Sequence, residues 1–354
     1  MKKEERLLRI GIVGLGPVSQ AAHLEACRRG RNTELYAICD LADDLVTRMA
    51  ALHQPQSTYS NFDRMLEDPR LEAVIVATSD AFHVPLAQLA LAAGKHVFVE
   101  KPLGLDVEAC MDLERLVAAS GLVLQLGLNR RFDPALDFAR RFVAGEVGKV
   151  DALHAWYCDS IARYTMTDSV QAIPVTSAGA RREPTDDRAR YLLLTHGSHL
   201  LDTAACLAGP IEAVQARRRE ALGGYLWSIT IDFANGALGH ANLIVPAAGD
   251  FEEGFQVFGE GGSVQGRLAL PWYRKAGTVD CFSAREGIYR RPFGAEGDTY
   301  KLQLEAFADT ILHGAPQTGA TVADGVANLR ALVATARSVE SRRVVALSDV
   351  SGTV

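Results

Sequence analysis

Ile10-Gly11-Ile12-Val13-Gly14-Leu15-Gly16-Pro17-Val18-Ser19 is the stretch whose reading decides the fold. An apolar run, two glycines one residue apart and helix-compatible residues read as a strand, a tight turn and a helix start. Gly14 and Gly16 fill the first two places of a G-x-G-x-x-G pattern. Glycine is needed there because the backbone turns sharply and must approach a pyrophosphate at the helix N-terminus. Pro17 and Val18 complete that turn. Ser19 stands at the third place, small but not glycine, so helix and strand are expected to sit slightly further apart.

Outward from this stretch, short apolar runs alternate with helical ones as far as residue 130. Strands are expected at Leu7 to Val13, Glu34 to Cys39, Ala73 to Thr78, His96 to Glu100 and Leu122 to Leu126. Between them, Gln20 to Arg29, Asp43 to Leu52, His83 to Ala93 and Asp106 to Ala119 read as helices, with Gly94 and Gly121 placed as left-handed caps. Alternation of this kind implies βαβ units and a parallel sheet. Asp40 closes the second strand, where a carboxylate accepts hydrogen bonds from the adenosine ribose hydroxyls and repels a 2′-phosphate. Leu41 and Ala42 follow, in place of the serine or arginine of an NADP site. The pattern therefore reads as a dinucleotide fold that prefers NAD, although Asp40 also suits a helix N-cap.

After Asn129-Arg130-Arg131 the pattern changes. Pro134 to Ala144 reads as a helix ending at Gly145, then Val150 to Tyr157 as a strand, followed by poor periodicity over Ser160 to Ala189. A helix over Arg190 to Leu207 stops at Gly209-Pro210. Strands are expected at Ile211 to Arg217, Leu226 to Phe233, Ala237 to Val245 and Phe255 to Phe258, with Asn235-Gly236 as a hairpin signal. This describes an α+β domain on a mostly antiparallel sheet. The tail, Tyr300 to Ser338, is helical, with a start signal at Thr321-Val322-Ala323-Asp324. The expected domains are 1–130 and 131–354, with the C-terminal helices free to pack back on the first.

At 354 residues the chain suits about two domains of roughly 150 residues each. Apolar content of 48% and charged content of 23% are those of a soluble globular protein. A net charge of −6 argues against non-specific nucleic-acid binding. No stretch approaches the roughly 18 apolar residues of a membrane span, and no secretory signal is read at the start. Six scattered cysteines without a C-x-x-C pair read as buried thiols of a cytoplasmic protein, with no metal site.

His96-Val97-Phe98-Val99-Glu100-Lys101-Pro102 ends a strand on a lysine that proline biases toward extended backbone. That is the carboxyl edge of the sheet, where ligands bind. With Gly14-Leu15-Gly16, Val76-Ala77-Thr78-Ser79, His83, Ala93-Gly94-Lys95-His96-Val97, Asn129-Arg130-Arg131-Phe132 and Gly145-Glu146-Val147-Gly148-Lys149, it resembles the glucose–fructose oxidoreductase / inositol dehydrogenase / rhizopine-catabolism (Gfo/Idh/MocA) family of NAD(P)-dependent oxidoreductases.

The resemblance implies a Rossmann domain, a doubly wound parallel sheet, followed by an α/β domain whose open sheet packs against another subunit in a homodimer or homotetramer. It places Lys101 beside nicotinamide and substrate, with a cis bond to Pro102, and Thr78 and Ser79 toward the nicotinamide half. Glu100 and Asn129 join the cofactor-binding set. His83 packs or caps the following helix, or contacts the cofactor. Arg130 and Arg131 line the domain junction, Arg130 as a substrate contact, or either as only an interdomain ion pair.

The helix around Leu194-Thr195-His196-Gly197-Ser198-His199-Leu200-Leu201-Asp202 resembles the family's Asp-x-Gly-x-His-x-x-Asp, in which the histidine is the acid/base. Gly197, His199 and Asp202 match, whereas Thr195 replaces the first aspartate. Threonine can bond a substrate hydroxyl but cannot hold a proton. His196 offers a polar contact or helix-surface packing.

The expected activity is oxidation of a secondary hydroxyl on a sugar, cyclitol or sugar derivative. His199 takes the proton, Lys101 orients the oxygen and NAD accepts the hydride. Tyr157 and Tyr164 could stack on the ring, although core or rim packing explains them as well. Arg163 could meet an anionic substituent, or belong to a solvated, charge-balanced loop. A redox-assisted glycosidase, lyase or epimerase with permanently bound NAD is an alternative, recognised by absence of net NADH. A cofactor- or sugar-sensing regulator is another, which the presence of both Lys101 and His199 opposes.

Overall fold

The computed structural model describes residues 6–160 and 187–354. They form two compact units, one of residues 6–127 and 300–326, the other of 128–160, 187–299 and 327–354. Arg163, Tyr164 and the charged stretch to Asp186 lie outside the described residues.

In the first unit, β1 (Leu8–Val13), β2 (Thr33–Cys39), β3 (Ser57–Tyr59), β4 (Ala73–Val76), β5 (His96–Val99) and β6 (Leu124–Leu126) form one six-stranded sheet. Its order is β3-β2-β1-β4-β5-β6 and every pairing is parallel. The chain works outward from β1 to β3, then returns to β4 on the other side of β1. That reversal opens a crevice at the carboxyl ends of the strands. All of β4 is buried, as a parallel sheet covered on both faces requires. Leu8, Ile10, Ile12, Leu24, Cys27, Ile75 and Phe98 make the core together with Leu304 and Phe307 from the helix Thr299–His313. Phe98 and Phe307 meet edge to face at 5.9 Å, so a segment remote in sequence completes this core.

The strands end sooner than their apolar runs suggest. β4 stops at Val76 and β5 at Val99, which leaves Thr78, Ser79 and Lys101 in the loops beyond. The short edge strand β3 has no apolar run to announce it. Gly94 and Gly121 take φ of +74° and +67°, the left-handed backbone expected of helix caps. The helix after the glycine turn opens as a π turn over Ser19–His23 and continues as Leu24–Arg29.

The second unit holds β7 (Val150–Ser160), β8 (Ile211–Ala221), β9 (Gly224–Phe233), β10 (Leu238–Ala247), β11 (Glu252–Gly259), β12 (Gly262–Leu268), β13 (Thr278–Ser283), β14 (Ile288–Arg290) and β15 (Val345–Ala346). They form a nine-stranded sheet in the order β14-β13-β12-β11-β7-β10-β9-β8-β15. Every pairing is antiparallel except β7 with β10. The expected hairpin at Asn235-Gly236 joins β9 to β10, with Gly236 at φ +85°. Along β10, buried residues alternate with half-exposed or exposed ones, so the sheet buries one face. On that side the helix Ser198–Ala208 packs against β7, β10 and β11. The helix from Pro134 runs on through a π turn to Val147, past the expected stop at Gly145. The chain breaks instead at Gly148, where φ is +69°.

Candidate active site

At Gly14, φ is +90° and a Cβ would stand 2.6 Å from the Ala77 carbonyl oxygen and 2.9 Å from the Thr78 methyl, so only glycine fits. A Cβ at Gly16 would meet nothing within 4 Å. One side of the turn is therefore packed and the other open, with Pro17 and Val18 half-buried beside it. The Ser19 hydroxyl donates to the Gly14 carbonyl at 2.5 Å. The serine thus latches helix to turn where a third glycine would pack closely.

Asp40 follows β2. Its carboxylate accepts from the Leu15 N–H at 2.7 Å and from the Ala42 N–H at 2.9 Å. It braces the glycine turn and the approach to the helix Asp43–His53 together, although the N-cap of that helix is Ala42 and not Asp40.

Beyond β4, Thr78 is half-buried and Ser79 exposed. His83 is buried, with Nδ1 2.7 Å from the Pro102 carbonyl oxygen and Nε2 3.2 Å from that of Thr78. It ties the loops after β4 and β5 to each other. Lys101 is half-buried, and its bond to Pro102 is cis. The side chain of Glu100 turns inward. One oxygen lies 2.7 Å from His23 Nε2, and the other accepts the Lys101 N–H at 3.1 Å. Burial pushes this carboxyl up, but the His23 hydrogen bond and the charges of His23 and Lys101 pull harder and hold it below the usual carboxylate range.

In the second unit, Asn129 begins a single 3₁₀ turn, Asn129–Phe132, and donates to the Thr299 hydroxyl at 3.3 Å. The Arg130 guanidinium is buried and bonds both Glu253 oxygens, at 3.0 and 2.8 Å. Burial pushes Glu253 up against the pull of Arg130. Arg131 grips Asp202 at 2.6 to 3.1 Å. Both arginines are therefore held within this unit.

Tyr191, Thr195 and His199 are spaced by four and are half-buried, while residues 192–194 and 196–198 are buried. The three mark one partly open face. A π turn, Leu193–Gly197, lies between the helices Arg188–Leu192 and Ser198–Ala208; such turns are frequent at functional sites. His196 faces inward, with Nε2 3.5 Å from an Asp159 oxygen and Nδ1 3.2 Å from the Leu192 carbonyl. The buried Tyr157 ring meets His196 edge-on at 5.3 Å and lies parallel to the His199 ring at 6.5 Å. The structure thus gathers Tyr157, His196 and His199. It also adds Asp159 and Glu253 in this unit and, separately, His23 in the first, which local sequence pattern does not signal because each acts through a partner distant in the chain. Among the described residues no three His, Cys, Asp or Glu side chains are grouped for a metal ion, and no helix is long and apolar enough to cross a membrane.

Residues 8–128 match the model of the oxidoreductase family with an NAD-binding Rossmann fold, and residues 136–265 match the GFO/IDH/MocA C-terminal domain. The chain is 27% identical to the myo-inositol 2-dehydrogenase of Thermotoga maritima, over 98% of this chain and 100% of that one. It is 44% identical to the NAD(+) scyllo-inositol 2-dehydrogenase of Bacillus subtilis, over 24% of this chain and 25% of that one. The solved structure of scyllo-inositol dehydrogenase from Lactobacillus casei with bound NAD(H) and scyllo-inositol shares the fold, with a TM-score of 0.76 at 23% identity over 97% of this chain and 100% of that one.

Proposed function

Because the chain belongs to the GFO/IDH/MocA family of NAD-binding oxidoreductases, we propose that it oxidises a secondary hydroxyl of a cyclitol or related sugar, with NAD as acceptor. The observation that carries this reading is the alignment of the glycine turn, Asp40 and Lys101 at the carboxyl ends of β1, β2 and β5 in a sheet that reverses between β1 and β4. These residues suit a dinucleotide. The side of the turn at Gly16 is open to a pyrophosphate, and the braced Asp40 carboxylate favours ribose hydroxyls over a 2′-phosphate. Thr78 and Ser79 would border the nicotinamide half.

The bound dinucleotide supplies a hydride acceptor. The protein's part is to take the hydroxyl proton, since the carbinol carbon releases hydride readily only as its oxygen gains negative charge. His199 takes that proton, Lys101 orients the oxygen and Thr195 bonds a neighbouring hydroxyl. The Tyr157 ring lies parallel to that of His199, with 6.5 Å between centroids. The inositol substrates in the relatives' names support a ring bearing several secondary hydroxyls. Self-association into a dimer or tetramer through the open sheet belongs to the same reading.

The test is NADH absorbance with NAD or NADP and a panel of inositols, aldoses and uronates. We expect NAD-dependent oxidation of at least one inositol, reduced by about 10²-fold or more in His199→Ala, the scale of a lost general base. No turnover of any polyol by a protein that binds NAD would overturn the reading.

A further inference from the structure

We propose that His23 and Glu100 are positioning residues, a buried strut that ties the helix after the glycine turn to Lys101. The inference rests on Lys101 acting at the reacting hydroxyl.

The strut is continuous within the first unit. Ser19, bonded to the Gly14 carbonyl, opens the π turn that His23 closes. His23 is fully buried, with the rings of Phe98 and Tyr300 edge-on at 5.7 and 5.5 Å. Its Nδ1 has no hydrogen-bond partner among the described residues, so the ring proton belongs on Nε2, donated to Glu100 at 2.7 Å. The second Glu100 oxygen receives the Lys101 N–H. A Cβ on residue 127 would stand 3.1 Å from the first oxygen, so Gly127 leaves the carboxylate its seat. On the far side, His83 holds the Pro102 carbonyl. The Lys101-Pro102 segment is thereby gripped from both ends.

A buried carboxylate bonded to a buried imidazole is a poor way to gain stability, because desolvation offsets most of the attraction and apolar side chains would serve as well. This pair places one oxygen on the amide of the lysine and anchors the other on the helix whose N-terminus faces the open side of the glycine turn. The helix that follows the glycine turn and the Lys101 amide thus share one carboxylate, which fixes the place of the lysine relative to that turn.

Three measurements test this on the intact protein: NADH affinity by fluorescence, steady-state kinetics (kcat and KM) with the best inositol, and the amide proton shift of Lys101 in 15N-labelled protein. Glu100→Gln and His23→Leu should lower kcat by about tenfold or more, the cost of a small misplacement at a reacting centre. NADH affinity should stay within about twofold: although the resemblance puts Glu100 in the cofactor-binding set, its side chain turns inward to His23 and the Lys101 amide, and His23 is fully buried. Both variants should move the Lys101 amide upfield as its charge-assisted bond weakens, and the double variant should be no worse than either single. If His23→Leu does not fold, His23→Gln and His23→Asn decide. Only glutamine reaches to where Nε2–H stood, so it should retain more kcat and the shift, and equal behaviour of the two would count against the strut. An unmoved Lys101 amide, or a loss of kcat matched by a loss of NADH affinity, overturns the proposal. The amide shift needs no turnover, so an absence of polyol oxidation would sink the functional reading alone.

Discussion

Burial alone would push the Glu100 carboxyl up, but His23 and Lys101 outweigh the desolvation and hold it below the usual carboxylate range. A carboxylate depressed in this way stabilises the fold fully above its unfolded value, and that contribution disappears as pH falls through the lower folded value. His23→Leu removes the first of the opposing interactions, so the midpoint of acid unfolding, followed by circular dichroism, is expected at higher pH than in the wild type. An unchanged midpoint would show that Lys101 and the backbone suffice. The positions of Gly14, Gly16, Asp40 and Lys101 just beyond strand ends are legible in the sequence because each follows an apolar run that marks its strand. Arg130 is not. Its place in the sequence suggests the domain junction, yet it is buried on Glu253, 123 residues later, and no local pattern announces a partner so remote. The same holds for His196 with Asp159 and for His23 with Glu100.

Helices announce themselves through caps. The Thr321 hydroxyl and the Asp324 N–H meet at 3.2 Å, and the Asp324 carboxylate accepts the Thr321 N–H at 2.7 Å, a reciprocal capping box at the start of the helix Val322–Ser341. Thr321→Ala is expected to cost about 1 kcal/mol in urea unfolding, while Thr321→Ser should cost a few tenths at most. Strands are readable where apolar residues run or alternate, as in β1, β4 and β10. β12 escapes such a reading because Gly262 and Gly266 interrupt it, and the short strands β14 and β15 because their partners, not their own composition, make them strands. The π turn at Leu193–Gly197 leaves no mark in residue spacing. Even so, the four-residue interval from Thr195 to His199 survives it as a shared, partly open face.

Across the whole molecule, β7 lies between β10 and β11 and splits what would otherwise be one continuous meander from β8 to β14. On one side β8, β9 and β10 are joined by short turns, and on the other β11, β12 and β13 follow one another in order. Each wing can zip from its own turns. The parallel seam instead brings Ala152 to Leu238 and Ser160 to Ala247, and closing so long a loop is the slow kind of event in folding. Pulse-labelled hydrogen exchange during refolding should therefore find the facing amides of β8–β9 and β11–β12 protected before those shared by β7 and β10. Simultaneous protection would mean that the seam nucleates the sheet. If the seam does close last, the nascent unit passes through a stage with two finished ribbons and open edges at β10 and β11. In that interval the β7 of a second chain could fill the gap as well as its own, making this joint the place where crowded refolding goes astray by strand exchange.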